Sequence, residues 1–304
     1  MEQRNFRGLL EAKWAEGKFL CVGLDPLMEK LPEEFQPQGT RHLPLITPGI
    51  QFKKFCQDRV RKTAHVAAAY KLNIAFFEAE GIEGIGALGE IIRFIHECVP
   101  ETPAILDAKR GDIGDSNKAY AKAIFAANDA DAVTVHPYFG EEALRPFLDR
   151  EDKGIIVLCR TTNPGAREFQ DLHTLTLDPR AKPDEVSADE WLKVLCDDSM
   201  QLYERVAFNV AMKWKHSGNC LLVVGATYPV EAKKVRARVG DVPFLIPGIG
   251  KQQGDLEATV MVSQDGRGFG MLINLSSGII YADDPRSEAE KYHNLINRYR
   301  SVSV

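Results

Sequence analysis

Ala104-Ile105-Leu106-Asp107-Ala108-Lys109-Arg110-Gly111-Asp112-Ile113-Gly114 begins as an apolar strand and ends as a charged turn broken by glycine. Side chains alternate along a strand, so Asp107 and Lys109 point to the same face. Seven other short, β-branched runs share the apolar opening: Phe19–Leu24, Ala69–Phe77, Ala132–His136, Ile155–Cys159, Leu221–Gly225, Phe244–Pro247 and Gly270–Leu275. Helix-like segments separate them. Leu88, Ile91, Ile92 and Ile95 form the stripe of a helix laid on a sheet within Ile85–Cys98. Asp115 or Ser116 is placed to cap a helix over Lys118–Asn128, and Pro229 suits the first turn before Val230–Val239.

Eight strands apolar on both faces and alternating with helices predict an all-parallel sheet. Left open, it would be a doubly wound fold. The count of eight and the 304-residue length favour an α/β fold of the (βα)8 TIM-barrel type, a single domain over residues 1–304. Two connections, Pro26–Pro48 after the first strand and Ala166–Glu190 after the fifth, are too long for plain turns. In a barrel both lie on the C-terminal face, where active sites are built.

Composition excludes several function classes. Lysine and arginine number 38 against 43 acids, a net charge of −5 that offers no field for nucleic acid or an anionic membrane. No apolar run reaches the ~18 residues of a membrane span, and charges interrupt every signal-like stretch before Cys21. The six cysteines make no C-x-x-C motif, and most sit in apolar runs. Buried free thiols in a reducing cytoplasm are expected. Asn274-Leu275-Ser276 matches a glycosylation sequon, which carries no weight without a secretion signal.

Charges at the end of an apolar strand are costly to bury unless paired or used. On spacing alone, Asp107 and Lys109 are as well read as an ion pair closing the barrel mouth as they are as catalytic groups. Lys71, inside an apolar strand, is hard to explain as a solvated residue and points to function. His136 reads as a satisfied histidine at the barrel mouth.

Asp107-Ala108-Lys109-Arg110-Gly111-Asp112-Ile113-Gly114 resembles the active-site signature of the orotidine 5′-monophosphate decarboxylase family, in its longer-chain bacterial branch. Val22–Pro26, Tyr70–Glu78, Thr161–Gly165 and Pro247–Asp255 resemble the family's first, second, fifth and seventh strand ends, so the likeness spans nearly the whole chain. It implies decarboxylation of orotidine 5′-monophosphate to uridine 5′-monophosphate and CO₂, with neither metal nor cofactor. It further implies a charge array of Lys71, Asp107, Lys109 and Asp112. Asp112, Ile113 and Ser116 would reach the neighbour's site in a homodimer with composite active sites. Asp25 would bind ribose hydroxyls, Thr162 the pyrimidine, and Gln252 both pyrimidine and phosphate. Pro247, Gly248 and Gly250 after the seventh strand, with Ser276 and Ser277 after the eighth, would flank the phosphate.

Two positions depart from the pattern. Gln253 replaces a usual glycine, and Ser277 stands where the family has an arginine to the phosphate. Lys251 is the nearest substitute cation, whereas Arg267, before the eighth strand, should lie on the opposite face. Two other functions share the Asp-x-Lys-x-x-Asp barrel pattern. One is a metal-dependent sugar-phosphate lyase using Glu78 or Glu80; the other is a nucleotide-binding relative without turnover.

Overall fold

The computed structural model describes residues 4–36, 47–174, 199–214, 218–250 and 254–301, with Ser187 and Asp189. Eight strands form its centre: β1 (Leu20–Gly23), β2 (Ala67–Asn73), β3 (Ala104–Arg110), β4 (Ala132–Val135), β5 (Gly154–Arg160), β6 (Cys220–Val224), β7 (Phe244–Ile246) and β8 (Met271–Leu275). All neighbours are parallel, in the order β1-β8-β7-β6-β5-β4-β3-β2, and β2 pairs with β1 to close the ring. The fold is the (βα)8 barrel, and the strands are buried on both faces as their apolar runs require.

The helical stripe behaves as read. Leu88, Ile91, Ile92 and Ile95 are buried on a helix spanning Gly81–Cys98, and Pro229 opens the helix Pro229–Val239. Two boundaries differ. The run Ala69–Phe77 is not one strand, because the Asn73 side chain accepts from Ala75 N–H at 3.2 Å and turns Ile74–Glu78 into a short helix. Neither Asp115 nor Ser116 caps the next helix. Gly114, at φ +53°, lets the chain enter helix early over Gly114–Lys122, and Ile113 at the N-cap makes no side-chain bond. Asp115 instead pairs with Lys118 at 2.8 Å.

Of the long connections, the first begins with turns at Met28–Lys30 and Glu33–Phe35, and residues 37–46 lie outside the described set. After β5, a turn at Pro164–Glu168 leads to His173–Thr174, which pairs antiparallel with Met200–Gln201. The rest of that loop, apart from Ser187 and Asp189, is also outside the described residues. Cys21, Cys56, Cys159 and Cys220 are buried free thiols; Cys98, at a helix end, is exposed. Among the described residues no helix is long and apolar enough to cross a membrane.

The N-terminal face is closed by the helix Phe6–Ala15, capped by Asn5. Phe6 occupies the space where a Cβ on Gly154 would sit, so only glycine can start β5 there. Asp131 locks this face. Its carboxylate, 1% exposed, accepts from Ala104 N–H at 2.8 Å, His96 Nε2 at 3.0 Å and Arg4 Nε at 2.8 Å. Burial opposes its ionisation, but the His96 and Arg4 bonds outweigh that and hold its carboxyl down at about 2.

Asp131→Ala should therefore lower the unfolding free energy by about 3–5 kcal/mol, the usual result of leaving a buried ionic partner alone. A carboxyl depressed in the folded state stabilises above its unfolded pKa, near 4, and that contribution fades as pH falls from 4 towards 2. Urea titrations should show the parent-to-variant gap intact at neutral pH and narrowing through that window; a constant gap would exclude the ionised carboxylate as its source.

Candidate active site

Each candidate group stands where a parallel strand ends at the C-terminal face. β2 ends with Lys71 and Asn73, β3 with Asp107 and Lys109, and β4 with Thr134, followed by His136. Asp25 follows β1, Thr161–Asn163 follow β5, Pro247–Gly250 follow β7, and Ser276–Gly278 follow β8. Two cavities, about 300 and 360 Å³, open among them and share Lys71, Asp107, Thr162, Pro247 and Asn274. The first adds Asp25, Asn73, Gly248, Gly250, Ser276, Ser277 and Tyr292. The second adds Lys109, Thr134 and the apolar Leu158, Val223 and Leu245.

The charges alternate. Lys71 Nζ lies 3.6 Å from Asp25 Oδ1 and 3.4 Å from Asp107 Oδ2, and Lys109 Nζ lies 2.7 Å from Asp107 Oδ1. Thr134 donates its hydroxyl to Asp107 Oδ1 at 2.8 Å and accepts from Lys109 N–H at 2.9 Å, tying β4 to β3. Lys71 is 5% exposed. Burial works against its charge, but Asp25 and Asp107 prevail and raise its pKa above the ordinary lysine value. Burial likewise opposes Asp107, yet Lys71 and Lys109 hold it at about 2. At neutral pH both are charged. Lys109, at φ +45°, occupies the left-handed region that β-carbon-bearing residues avoid, a strain of order 1–3 kcal/mol that its neighbours sustain.

The loop after β5 is fixed from two sides. Gln170 Oε1 accepts from Thr161 N–H at 2.9 Å, while its Nε2 donates to Thr161 Oγ1 at 2.8 Å. Gly225 lies so close beneath Thr162 that a Cβ would come within 2.5 Å of the threonine methyl. The buried Arg160 guanidinium pairs with Asp171 at 3.2 Å and covers the Tyr228 ring at 3.9 Å, anchoring the root of the loop.

At the other end, Gly248 and Gly250 have φ of +105° and +89°, a path only glycine follows readily. Gly23 likewise leaves room for Ser276, whose Oγ would be 1.9 Å from a Cβ there. Lys251, Gln252 and Gln253 lie outside the described residues. Arg267 is on the opposite face, paired with Asp265 at 2.9 Å and Glu11 at 3.3 Å. Lys71 and Lys109 are the only cations among the described residues lining the two cavities.

Asp112, Ile113 and Ser116 line neither cavity of their own chain. Asp112 Oδ1 accepts from Ile113 N–H at 2.8 Å, and Asn117 Nδ2 donates to the Asp112 carbonyl at 2.5 Å. His136 Nε2 meets the Gly111 carbonyl at 3.0 Å, the satisfied histidine expected at the mouth. This turn presents Ile113, 61% exposed, and is linked to the exposed Tyr138 and Phe139 after β4 through His136, whose ring lies 5.6 Å from that of Phe139. Glu78 pairs with Arg110 at 2.9 Å, and neither it nor Glu80 lines a cavity. Among the described residues no three His, Cys, Asp or Glu side chains are grouped to hold a metal ion.

Asn73, Thr134, Asn274 and Tyr292 line the cavities although the sequence does not mark them as site residues. Thr134 and Asn274 carried a signal, each being a polar residue inside an otherwise apolar inward run.

The profile described as Orotidine 5′-phosphate decarboxylase / HUMPS family matches residues 18–292. An orotidine 5′-phosphate decarboxylase of Janthinobacterium sp. (strain Marseille) is 40% identical over 298 residues, covering 95% of this chain and 97% of the relative. The OMP decarboxylase structure of Leishmania donovani is 37% identical with a TM-score of 0.77, covering 98% of this chain and 99% of that one. The UMP synthase structure of the same organism is 38% identical with a TM-score of 0.79, covering 98% of this chain but 57% of that longer one.

Proposed function

The chain belongs to the orotidine 5′-phosphate decarboxylase / HUMPS family, and from that premise we propose how its residues carry out the reaction. The reaction is decarboxylation of orotidine 5′-monophosphate to uridine 5′-monophosphate and CO₂, which completes pyrimidine nucleotide biosynthesis. The observation that carries the site assignment is Asp107 held between Lys71 and Lys109 at the cavity floor.

Breaking the bond from C6 to the carboxylate leaves its electron pair on C6, with no adjacent group to delocalise it. Fixed positive charge beside C6, in a cavity walled by Leu158, Val223 and Leu245, lowers the energy of that anion. Lys109 supplies the charge, then transfers a proton from Nζ to C6 and is left neutral. Its side chain, 50% exposed, regains a proton from solvent. Asp107 and Thr134 keep the ammonium aimed. Lys71, paired with Asp25 and Asp107, completes the charge array; Asp25 holds the ribose hydroxyls, and Thr162 contacts the pyrimidine. Pro247, Gly248, Gly250, Ser276 and Ser277 surround the phosphate, with backbone N–H groups in place of a guanidinium; the family resemblance adds Gln252, which lies outside the described residues.

Asp112, Ile113 and Ser116 act in the second subunit of a homodimer. Their position outside their own chain's cavities, on a turn joined through His136 to the exposed Phe139, supports that reading. The enzyme is read as one barrel domain working in the cytoplasm.

Lys109→Ala should reduce the rate of orotidine 5′-monophosphate consumption, followed by absorbance, at least ~10³-fold, about 4 kcal/mol of barrier. Thermal unfolding should be unchanged, since the left-handed position tolerates a short side chain no worse than lysine. Activity within a few-fold of the parent would remove Lys109 from the chemistry.

Asp112→Ala should be equally inactive alone. After subunit exchange with Lys109→Ala, half the dimers are mixed and one of their two sites is complete, so about a quarter of parental activity should return. No recovery despite confirmed exchange would place Asp112 in its own subunit's site.

Ser277→Arg should tighten binding of uridine 5′-monophosphate about ten-fold or more, the effect of one charge-assisted bond of roughly 1.5–3 kcal/mol. Uridine, which lacks the phosphate, should bind as before. Equal gains for both ligands would show that residue 277 does not face the phosphate.

A further inference from the structure

Asn274 is the next-to-last residue of β8, between Ile273 and Leu275 at the C-terminal end of the strand, and is 7% exposed. Its Oδ1 has no hydrogen-bond partner among the described residues. Other buried polar atoms lack partners too, but Asn274 is the one among them whose residue lines the cavities, and it lines both. Buried polar groups are normally satisfied, and an apolar residue would fill this strand position without that penalty.

The location says what the amide is for. One cavity is apolar-walled and reaches Lys109; the other runs past Asp25 and Lys71 to the glycines after β7. A nucleotide laid across both puts its base in the first and its phosphate at the far end of the second. Asn274 then stands where sugar joins base. Lys71 and Asp107 share this junction but are committed to each other at 3.4 Å. A neutral carboxamide adds one acceptor and two donors there without disturbing the balance of charges.

We propose that Asn274 is a substrate-binding residue whose carboxamide hydrogen-bonds the nucleoside part of the nucleotide at the sugar–base junction. The assignment rests on the decarboxylase reading of the cavity and adds to it a residue that recognises base and sugar rather than phosphate.

The test compares Asn274→Ala and Asn274→Thr with the parent, the second variant keeping a residue that strands favour. Competitive inhibition by uridine 5′-monophosphate and by inorganic phosphate is measured, with thermal unfolding of the free protein. Uridine 5′-monophosphate should weaken about ten-fold in both variants, phosphate should stay within two-fold, and the melting temperature should hold or rise. An unchanged nucleotide affinity, or an equal loss for nucleotide and phosphate, would overturn the proposal. So would loss of folded protein in both variants, since a side chain without a partner among the described residues is not what holds the strand. If the parent itself failed to bind uridine 5′-monophosphate, the nucleotide reading would fall, an outcome distinct from variants that match a binding parent.

Discussion

Asp107 sits 12% exposed between two ammonium groups, and the cavity is organised around that contact. Each partner comes from a different part of the ring. Lys71 arrives on β2 and is steadied from β1 by Asp25, Lys109 arrives two residues along on β3, and the Thr134 hydroxyl arrives on β4. One carboxylate thus ties four consecutive strand ends. Without it two cations would face one another in a space that solvates them poorly, and both the lysine aim and the mouth geometry would relax.

The array also sets the electrical character of the cavity. Asp25 and Asp107 balance Lys71 and Lys109, so the charges that the described residues of one chain place on the two cavities sum to zero before any ligand arrives. On the function proposed above, the described residues receive a polyanionic nucleotide not by surplus charge but by dipoles: the peptide groups around Gly248 and Gly250 and the hydroxyls of Ser276 and Ser277. Neutral donors depend on placement more than guanidinium does, which gives the glycine constraints at positions 23, 248 and 250 their weight.

Much of this was legible in the chain. Eight apolar runs announced the barrel because strands buried on both faces need no polar alternation, and Lys71, Asp107 and Lys109 stood out as charges where charge is costly. Asn73 was hidden because the apolar run continued past it to Phe77, and only the cap bond to Ala75 ended the strand. Thr134 and Asn274 were visible as polar residues but ambiguous, since a strand sequence alone does not reveal whether a hydroxyl or amide meets a carboxylate, a backbone group or a ligand. The Gln170 clamp on Thr161 could not be read at all, because it joins residues nine apart through a turn with no periodic signal.

The ring is also out of step with itself at three places, one where β1 begins beside β2 and two at C-terminal strand ends. β3 advances four residues, Leu106 to Arg110, while β4 advances two, Val133 to Val135. β5 advances two, Leu158 to Arg160, while β6 advances one. The surplus falls at Asp107–Lys109 in one case and just before Thr161 in the other. In an open sheet a strand could slide along its neighbour and expel such extra residues at the edge. A closed ring has no edge, and each strand is pinned by two neighbours. The surplus residues behave like dislocations that cannot glide out of a crystal: Lys109 is held off the regular lattice by topology as much as by local contacts, and its position can change in whole-residue jumps but not by gradual creep.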